Sequence, residues 1–363
     1  MKKVEAYQRY VWPLLEMLPA NKTHELGLEL MQAWQKHPWM LEMVERLLDK
    51  DFTSDKLEVV FGGMVFENPI VLAAGFDKDG KVVRAIEALN FGGMEVGSVL
   101  AKPQRGNEWP NIFRPEKGSL LNRMGFPSEG VGAVKQHLME IGKATKPLGI
   151  NVGINKGELL SDIPRAYGSV VSELFSYGDF FVLNFSSPNT ANLRDIQRDQ
   201  MMIADIVSEV FGVMIEKGER KPMYIKISPD ESQETLAGLI KVIRETGVKG
   251  LVVANTSNNE AIKEGFGGKW KGEAGGVSGK AIREINTRAV REIKIISGGE
   301  IEIAACGGIY DVDSAVEKIK VGATILEVYT GFIYGGPFFA NWLNAGLLAY
   351  MEHEGISNLS EIK

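Results

Sequence analysis

A single cysteine, Cys306, stands in 363 residues, which excludes a disulfide framework and any cluster held by several thiolates. There are four histidines, His24, His37, His137 and His353, and none has a metal-binding spacing to another. No apolar stretch reaches the roughly 20 residues of a membrane-crossing helix. The N-terminus also lacks the basic, apolar and small-residue succession of a secretory signal. The expectation is a protein inside the cell, soluble or at most peripheral to a membrane. Positive charge is not in excess either: the net charge is −6, so nothing electrostatic favours nucleic acid. Gly-x4-Gly-Lys-Ser/Thr is absent, which argues against a nucleoside triphosphate.

Glycine is abundant, with 41 residues, many at the ends of short apolar runs where backbone must approach something closely. From about residue 66 these runs alternate with longer helical patterns. They are "PIVLAAGF" (69–76), "GGMEVGSV" (92–99), "LGINVGI" (148–154), "DFFVLNFS" (179–186), "PMYIKIS" (222–228), "GLVVANT" (250–256), "IEIAACGG" (301–308) and "ATILEVYT" (323–330). Near-continuous apolar character with helical spacers predicts parallel strands buried on both faces. Eight such units predict a (β/α)8 TIM barrel, with a doubly wound open sheet as the competing architecture. Ahead of them, "LEVVFGGMVFEN" (57–68) reads as a hairpin turning at Gly62-Gly63 and closing the barrel floor. The connections 100–147 and 256–280 are long, and belong on the C-terminal face where barrels place their chemistry.

The strand ends deliver a set of polar residues to that face. They are Asp77-Lys78, Ser98, Asn151, Asn184 through Ser187, Lys226, Asn255-Thr256, Gly307-Gly308 and Tyr329-Thr330-Gly331. One lysine at a strand end is ordinarily a solvated charge. Two lysines with several amides and hydroxyls at one rim make a binding site. Gly307-Gly308 and Thr330-Gly331 leave backbone N–H groups uncovered after strands seven and eight, where barrels commonly bind phosphate. A phosphate anchor beside lysines and amides suits flavin mononucleotide (FMN) lying across the strand ends. Cys306 reads as a small buried residue.

These stretches, with "KPQRGN", "LLNRMGF", "NFSSPNTANLR", "GGVSGKA" and "YTGFIYGGP", resemble dihydroorotate dehydrogenase of the quinone-linked class 2, in order and in spacing. The resemblance implies oxidation of (S)-dihydroorotate to orotate in pyrimidine biosynthesis, with FMN as cofactor and a quinone as electron acceptor. It implies flavin contacts from Ala74, Gly75, Lys78, Ser98, Asn151, Asn184, Lys226, Gly279, Gly308, Tyr329 and Thr330. It implies that dihydroorotate or orotate is held by Lys78, by Asn122, Arg123, Met124, Gly125 and Phe126, and by Asn184, Asn189, Asn255 and Thr256. Asparagines suit a pyrimidine dione, because each offers one donor and one acceptor to a ring edge that alternates both. Lys226 can stabilise negative charge on the reduced flavin.

Ser187 in "NFSSPNT" matches the family's base, where class 1 members use cysteine. A serine hydroxyl is a weak base, so Thr190 or a water is the candidate relay, while Ser186 serves the turn before Pro188. This chain departs from the family pattern at Ala254, in "VLAKPQ", and in the 257–273 loop with Trp270.

Residues 1–50 lie outside the barrel, which occupies 51–363. "YQRYVWPLLEML", "THELGLELMQAW" and "WMLEMVERLL" predict short amphipathic helices broken at Pro13 and Pro38. Pattern alone allows a helical cap or a membrane-surface hairpin leading to a quinone tunnel. Seven Lys/Arg and seven Asp/Glu in this segment offer anionic lipid little attraction. The class 2 resemblance favours the tunnel, a peripheral site on the cytoplasmic face of the cell membrane, and His24 and Arg114 as quinone-site residues. Three other readings stay open: a soluble class 1-like enzyme using fumarate or NAD, a flavin barrel oxidising a hydroxy acid, and a barrel that binds without catalysis.

Overall fold

The computed structural model describes residues 2–48, 54–186 and 193–362. Its eight apolar runs are eight parallel strands: β1 (Ile70–Leu72), β2 (Gly93–Val99), β3 (Leu148–Val152), β4 (Phe180–Asn184), β5 (Met223–Ile227), β6 (Gly250–Val253), β7 (Glu302–Cys306) and β8 (Ile325–Val328). Each pairs with its sequence neighbours, and β8 pairs with β1 through Leu326↔Ile70, so the sheet closes into a barrel. An open sheet is thereby excluded.

Side chains alternate strictly along these strands. Val71, Phe180, Val182, Tyr224, Val252, Ala304 and Ile325 fill the barrel interior. Ile70, Leu72, Phe181, Leu183, Ile225, Leu251, Ile303 and Leu326 face the surrounding helices. The outer layer is the larger core, which is why the runs read as almost unbroken apolar sequence.

The floor is the expected hairpin, Val59–Phe61 paired with Met64–Phe66. Gly62 and Gly63 have φ of 63° and 75°, values an L-residue rarely adopts, as a two-residue hairpin turn with both central residues left-handed requires. Phe61 stacks on Tyr224 at 4.4 Å, and Gly62 N–H donates to Glu302 Oε2 at 2.8 Å, plugging the barrel's lower end.

At the opposite end the two long connections meet. Gly276–Gly279 pairs with Ser119–Asn122, which pairs with Ile112–Phe113, so one antiparallel sheet spans both insertions. Trp270 packs edge-on against Phe113 at 5.9 Å beneath this sheet's outer face.

The N-terminal segment departs from expectation at Pro13. Residues 2–16 stay helical through the proline, and Tyr7–Val11 is a π-helix in which Trp12 N–H reaches back to Tyr7 O. Proline cannot donate and its ring crowds the preceding turn; the widened turn absorbs both defects without a break. At Pro38 the break is real: His37 is extended, and Pro38 opens the helix Pro38–Leu47. Between them runs the helix Ala20–Gln35.

Candidate active site

The alternation that packs the barrel also carries Asn151, Asn184, Lys226 and Cys306 to its inner face at the top of the strands. The two asparagines and Ser98 tie one another in place. Ser98 Oγ donates to Asn151 Oδ1 at 2.5 Å, and Asn184 Nδ2 donates to Ser98 Oγ at 3.0 Å. Asn151 Nδ2 donates to Glu95 Oε2 at 2.9 Å. Ser186 is held by Asn184, whose Oδ1 accepts from both its N–H and its hydroxyl, and Asn255 Nδ2 donates to Ser186 Oγ at 3.1 Å. Such a bonded frame fixes the orientation of each amide.

Above the frame lies a cavity of about 1140 Å³ including its open mouth. Ala74, Gly75, Lys78, Ser98, Asn122, Met124, Gly125, Phe126, Asn184, Lys226, Asn255 and Thr256 line it from strand ends and the first insertion. Gly279, Gly308, Tyr329 and Thr330 line its far side. Lys78 is anchored by donating to Gly75 O. Burial lowers its pKa to about 8, against the pull of Asp79 and Asp77. Asp77 itself is spent on backbone, accepting from Lys81 and Val82 N–H at 2.8 Å each.

The glycine side of the cavity has no room for side chains. A Cβ on Gly279, at φ 87°, would stand 2.2 Å from Gly118 O, and one on Gly308, at φ 71°, would stand 2.5 Å from Arg283 Cα. Bare backbone therefore faces the cavity here, beside a hydroxyl pair, Ser278 Oγ and Thr330 Oγ1, 2.9 Å apart. Such a surface suits a phosphate.

A second cavity, about 1710 Å³ with its mouth, opens between the N-terminal helices and the barrel. Trp12, Leu15, Leu26, Leu30, Met31, Trp34, Phe76, Phe332 and Ile333 make it apolar. It shares Ile112, Leu120 and Tyr329 with the first cavity, so the two abut. His24 lies at the junction, its ring 5.4 Å from Phe76 and 6.4 Å from Tyr329. Burial, and then the Lys78 charge, lowers the His24 pKa to about 3, so the imidazole is neutral. Arg114 reaches Leu18 O and Thr23 Oγ1 at 2.8 Å each and lies over Trp12 at 5.3 Å.

The dihydroorotate dehydrogenase family model matches residues 56–351. The chain belongs to this family. "Dihydroorotate dehydrogenase (quinone)" of Anaeromyxobacter dehalogenans is 37% identical over 302 residues, 82% of each chain. The protein of that name from Thermus thermophilus is 35% identical over 351 residues, covering 95% of this chain and 97% of its own. The DHODH of Eimeria tenella in complex with ferulenol superposes with a TM-score of 0.86 at 28% identity, over 96% of this chain and 97% of that one.

Most of the residues singled out from sequence line the first cavity, His24 and Arg114 line the second, and two described residues line neither. Asn151 lies behind the wall and orients Ser98 and Asn184. Arg123 turns outward, 2.6 Å from Glu273 and over the Phe113 ring at 4.7 Å. Ser187, Asn189 and Thr190 lie outside the described residues. Sequence reasoning missed Glu95 and Glu327, which are buried around Lys226. Glu327 follows the inward Ile325 by two positions and Lys226 follows the inward Tyr224 by two, so strand parity could have found the pair.

Proposed function

We propose that the protein oxidises dihydroorotate to orotate with bound FMN and delivers the electrons to a membrane quinone, as a step of pyrimidine synthesis. The observation that carries this reading is the abutment of two unlike cavities, one polar at the barrel mouth and one apolar under the N-terminal helices, with Tyr329 common to both.

The donor set fits FMN. The Gly279 and Gly308 backbone with Thr330 would hold the phosphate, while Ala74, Gly75, Ser98, Asn184 and Lys226 would hold the ring, with Asn151 orienting the amides behind it. FMN, when bound, supplies the two-electron acceptor for the substrate hydride. Lys78 offers a cation to the substrate carboxylate. Asn122, Asn184 and Asn255 offer paired donors and acceptors to the dione ring. Ser187 Oγ takes the proton from the carbon next to the hydride-bearing one, and Thr190 is the candidate to pass it on. His24 and Arg114 lie along the quinone route.

Residues 1–50 act as the quinone-associated segment and 51–363 as the catalytic barrel. Tyr10, Leu14, Met17, Leu30 and Trp39 are each more than 60% exposed on the first segment. Among the described residues no helix is long and apolar enough to cross a membrane. A bilayer surface is the natural cover for such a patch. A class 1-like enzyme would have no use for the apolar channel. Dihydroorotate oxidation by the purified protein, with a quinone analogue, fumarate and NAD compared as acceptors, tests the reading. Turnover with fumarate or NAD but not with quinone overturns it.

A further inference from the structure

Three charged side chains enter the barrel interior just below the cavity: Glu95 from β2, Lys226 from β5 and Glu327 from β8. All three are buried. Lys226 Nζ is 3.0 Å from Glu327 Oε2 and 3.8 Å from Glu95 Oε2. Lys226 and Glu327 line the cavity, whereas Glu95 lies behind it. Glu95 Oε2 accepts from Asn151, but Glu95 Oε1 has no hydrogen-bond partner among the described residues.

Two ionised carboxylates against one ammonium would leave a net buried charge and an unpaired carboxylate oxygen, both unfavourable. A proton kept on Glu95 removes the net charge and makes the unpartnered oxygen far less costly to bury. Burial first, and then the neighbouring Glu327 carboxylate, raises the Glu95 pKa well above the usual range. Burial opposes the Lys226 charge, but the Glu327 carboxylate 3.0 Å away outweighs it, so the lysine stays protonated. Lys226 and Glu327 then form the ion pair of the cluster, at 3.0 Å, and Glu95 is its neutral member.

We propose that Glu327 is a positioning residue acting through Lys226: its carboxylate offsets the lysine's charge at the cavity floor and holds the reduction potential of bound flavin down. The proposal rests on the flavin reading given under Proposed function. An unpaired buried cation beside a group that gains electrons favours the reduced form, and a paired one favours it much less in a low-dielectric site. The lowered potential makes onward transfer to a quinone more favourable. A purely structural ion pair would affect folding and flavin content and leave the potential where it is.

The test is an anaerobic dye-equilibrated titration of the flavin spectrum in the holoenzyme. Glu327→Gln, similar in shape and uncharged, should raise the reduced-to-oxidised ratio at fixed dye potential by at least about tenfold, about 30 mV for a two-electron couple. Glu95→Gln replaces the member that is already neutral, and should shift the ratio by less than about threefold. In the unaltered holoenzyme, the reduced-minus-oxidised infrared spectrum should contain a protonated-carboxyl C=O band that Glu95→Gln removes. An unchanged or lowered potential in Glu327→Gln, or equal shifts in both variants, overturns the proposal. If Glu327→Gln does not fold or hold flavin, absence of the carboxyl band in the unaltered protein overturns it. Purified protein without a flavin spectrum overturns the flavin reading itself, and the proposal falls with it.

Discussion

Gly27 offers a way to close the apolar channel without touching the barrel. It sits within the helix Ala20–Gln35 and lines the channel, and a Cβ built there meets nothing within 4 Å. Glycine inside a helix costs roughly 0.5–1 kcal/mol relative to alanine, and phenylalanine recovers about half of that. Gly27→Phe should therefore be at least as stable as the parent, so lost turnover cannot be charged to unfolding. Each ~55 Å² of apolar contact denied to a quinone costs about 1.4 kcal/mol, which is about tenfold in affinity. A ring that blocks half of a quinone headgroup's contact should lower kcat/KM for quinone by on the order of 10- to 100-fold. Anaerobic single-turnover reduction of the flavin by dihydroorotate should be unchanged, because that step occurs on the far side of Tyr329. Gly27→Ala, which gains the helix benefit without filling the channel, should keep quinone turnover. A folded Gly27→Phe enzyme with parental kcat/KM for quinone would show that electrons leave by another route.

Lys78→Ala should lose bound flavin or abolish its reduction, read from the visible spectrum and from single-turnover mixing. The lowered Lys78 pKa of about 8 means its charge is present below that value and lost above it, so KM for dihydroorotate should climb as pH rises through about 8. Ser187→Ala should keep flavin and orotate binding while slowing flavin reduction by roughly 10²–10⁴-fold; Ser187→Cys should recover part of the rate, increasingly at higher pH. His24 has a folded pKa near 3 against 6.5 unfolded, so folding favours its neutral form. Its contribution to stability is full above about pH 6.5 and declines as pH falls toward 3. Denaturant midpoints of His24→Gln should be flatter than the parent's across that window.

The barrel was legible because each strand is buried on both faces and bounded by glycine or turn residues, a pattern helices do not share. The N-terminal helices were legible for their apolar faces, but not at Pro13. A rule that stops helices at proline has no term for a π-turn, and here Trp12 N–H finds Tyr7 O by exactly such a widening. The site was legible where strand ends deliver polar side chains, as with Lys78, Asn184, Lys226 and Asn255. It was not legible in "NRMGF". Asn122 and Arg123 are adjacent, yet one lines the cavity while the other pairs with Glu273. Sequence order alone does not reveal which way a rim residue turns. Glu95 and Glu327 escaped notice because an acidic residue inside an apolar run reads as an interruption. Both are explained once the lysine between them is seen to be buried.

The same arrangement accounts for how one chain serves two chemically opposed ligands. A carboxylate-bearing pyrimidine must shed water on entering protein, which is costly unless fixed donors replace it; on the proposed reading, Lys78 and the asparagines at the barrel mouth are such donors. A lipid-soluble quinone needs chiefly apolar contact. The channel provides this through Leu15, Leu26, Leu30, Met31 and its tryptophans, with the neutral His24 and the Leu18- and Thr23-bound Arg114 as polar points on its wall. Neither ligand is at home in the other's cavity, so the two need no lid to keep them apart. What they share is Tyr329 and the helix that begins at Thr330, one wall seen from two sides. The proposed cofactor site lies against that wall.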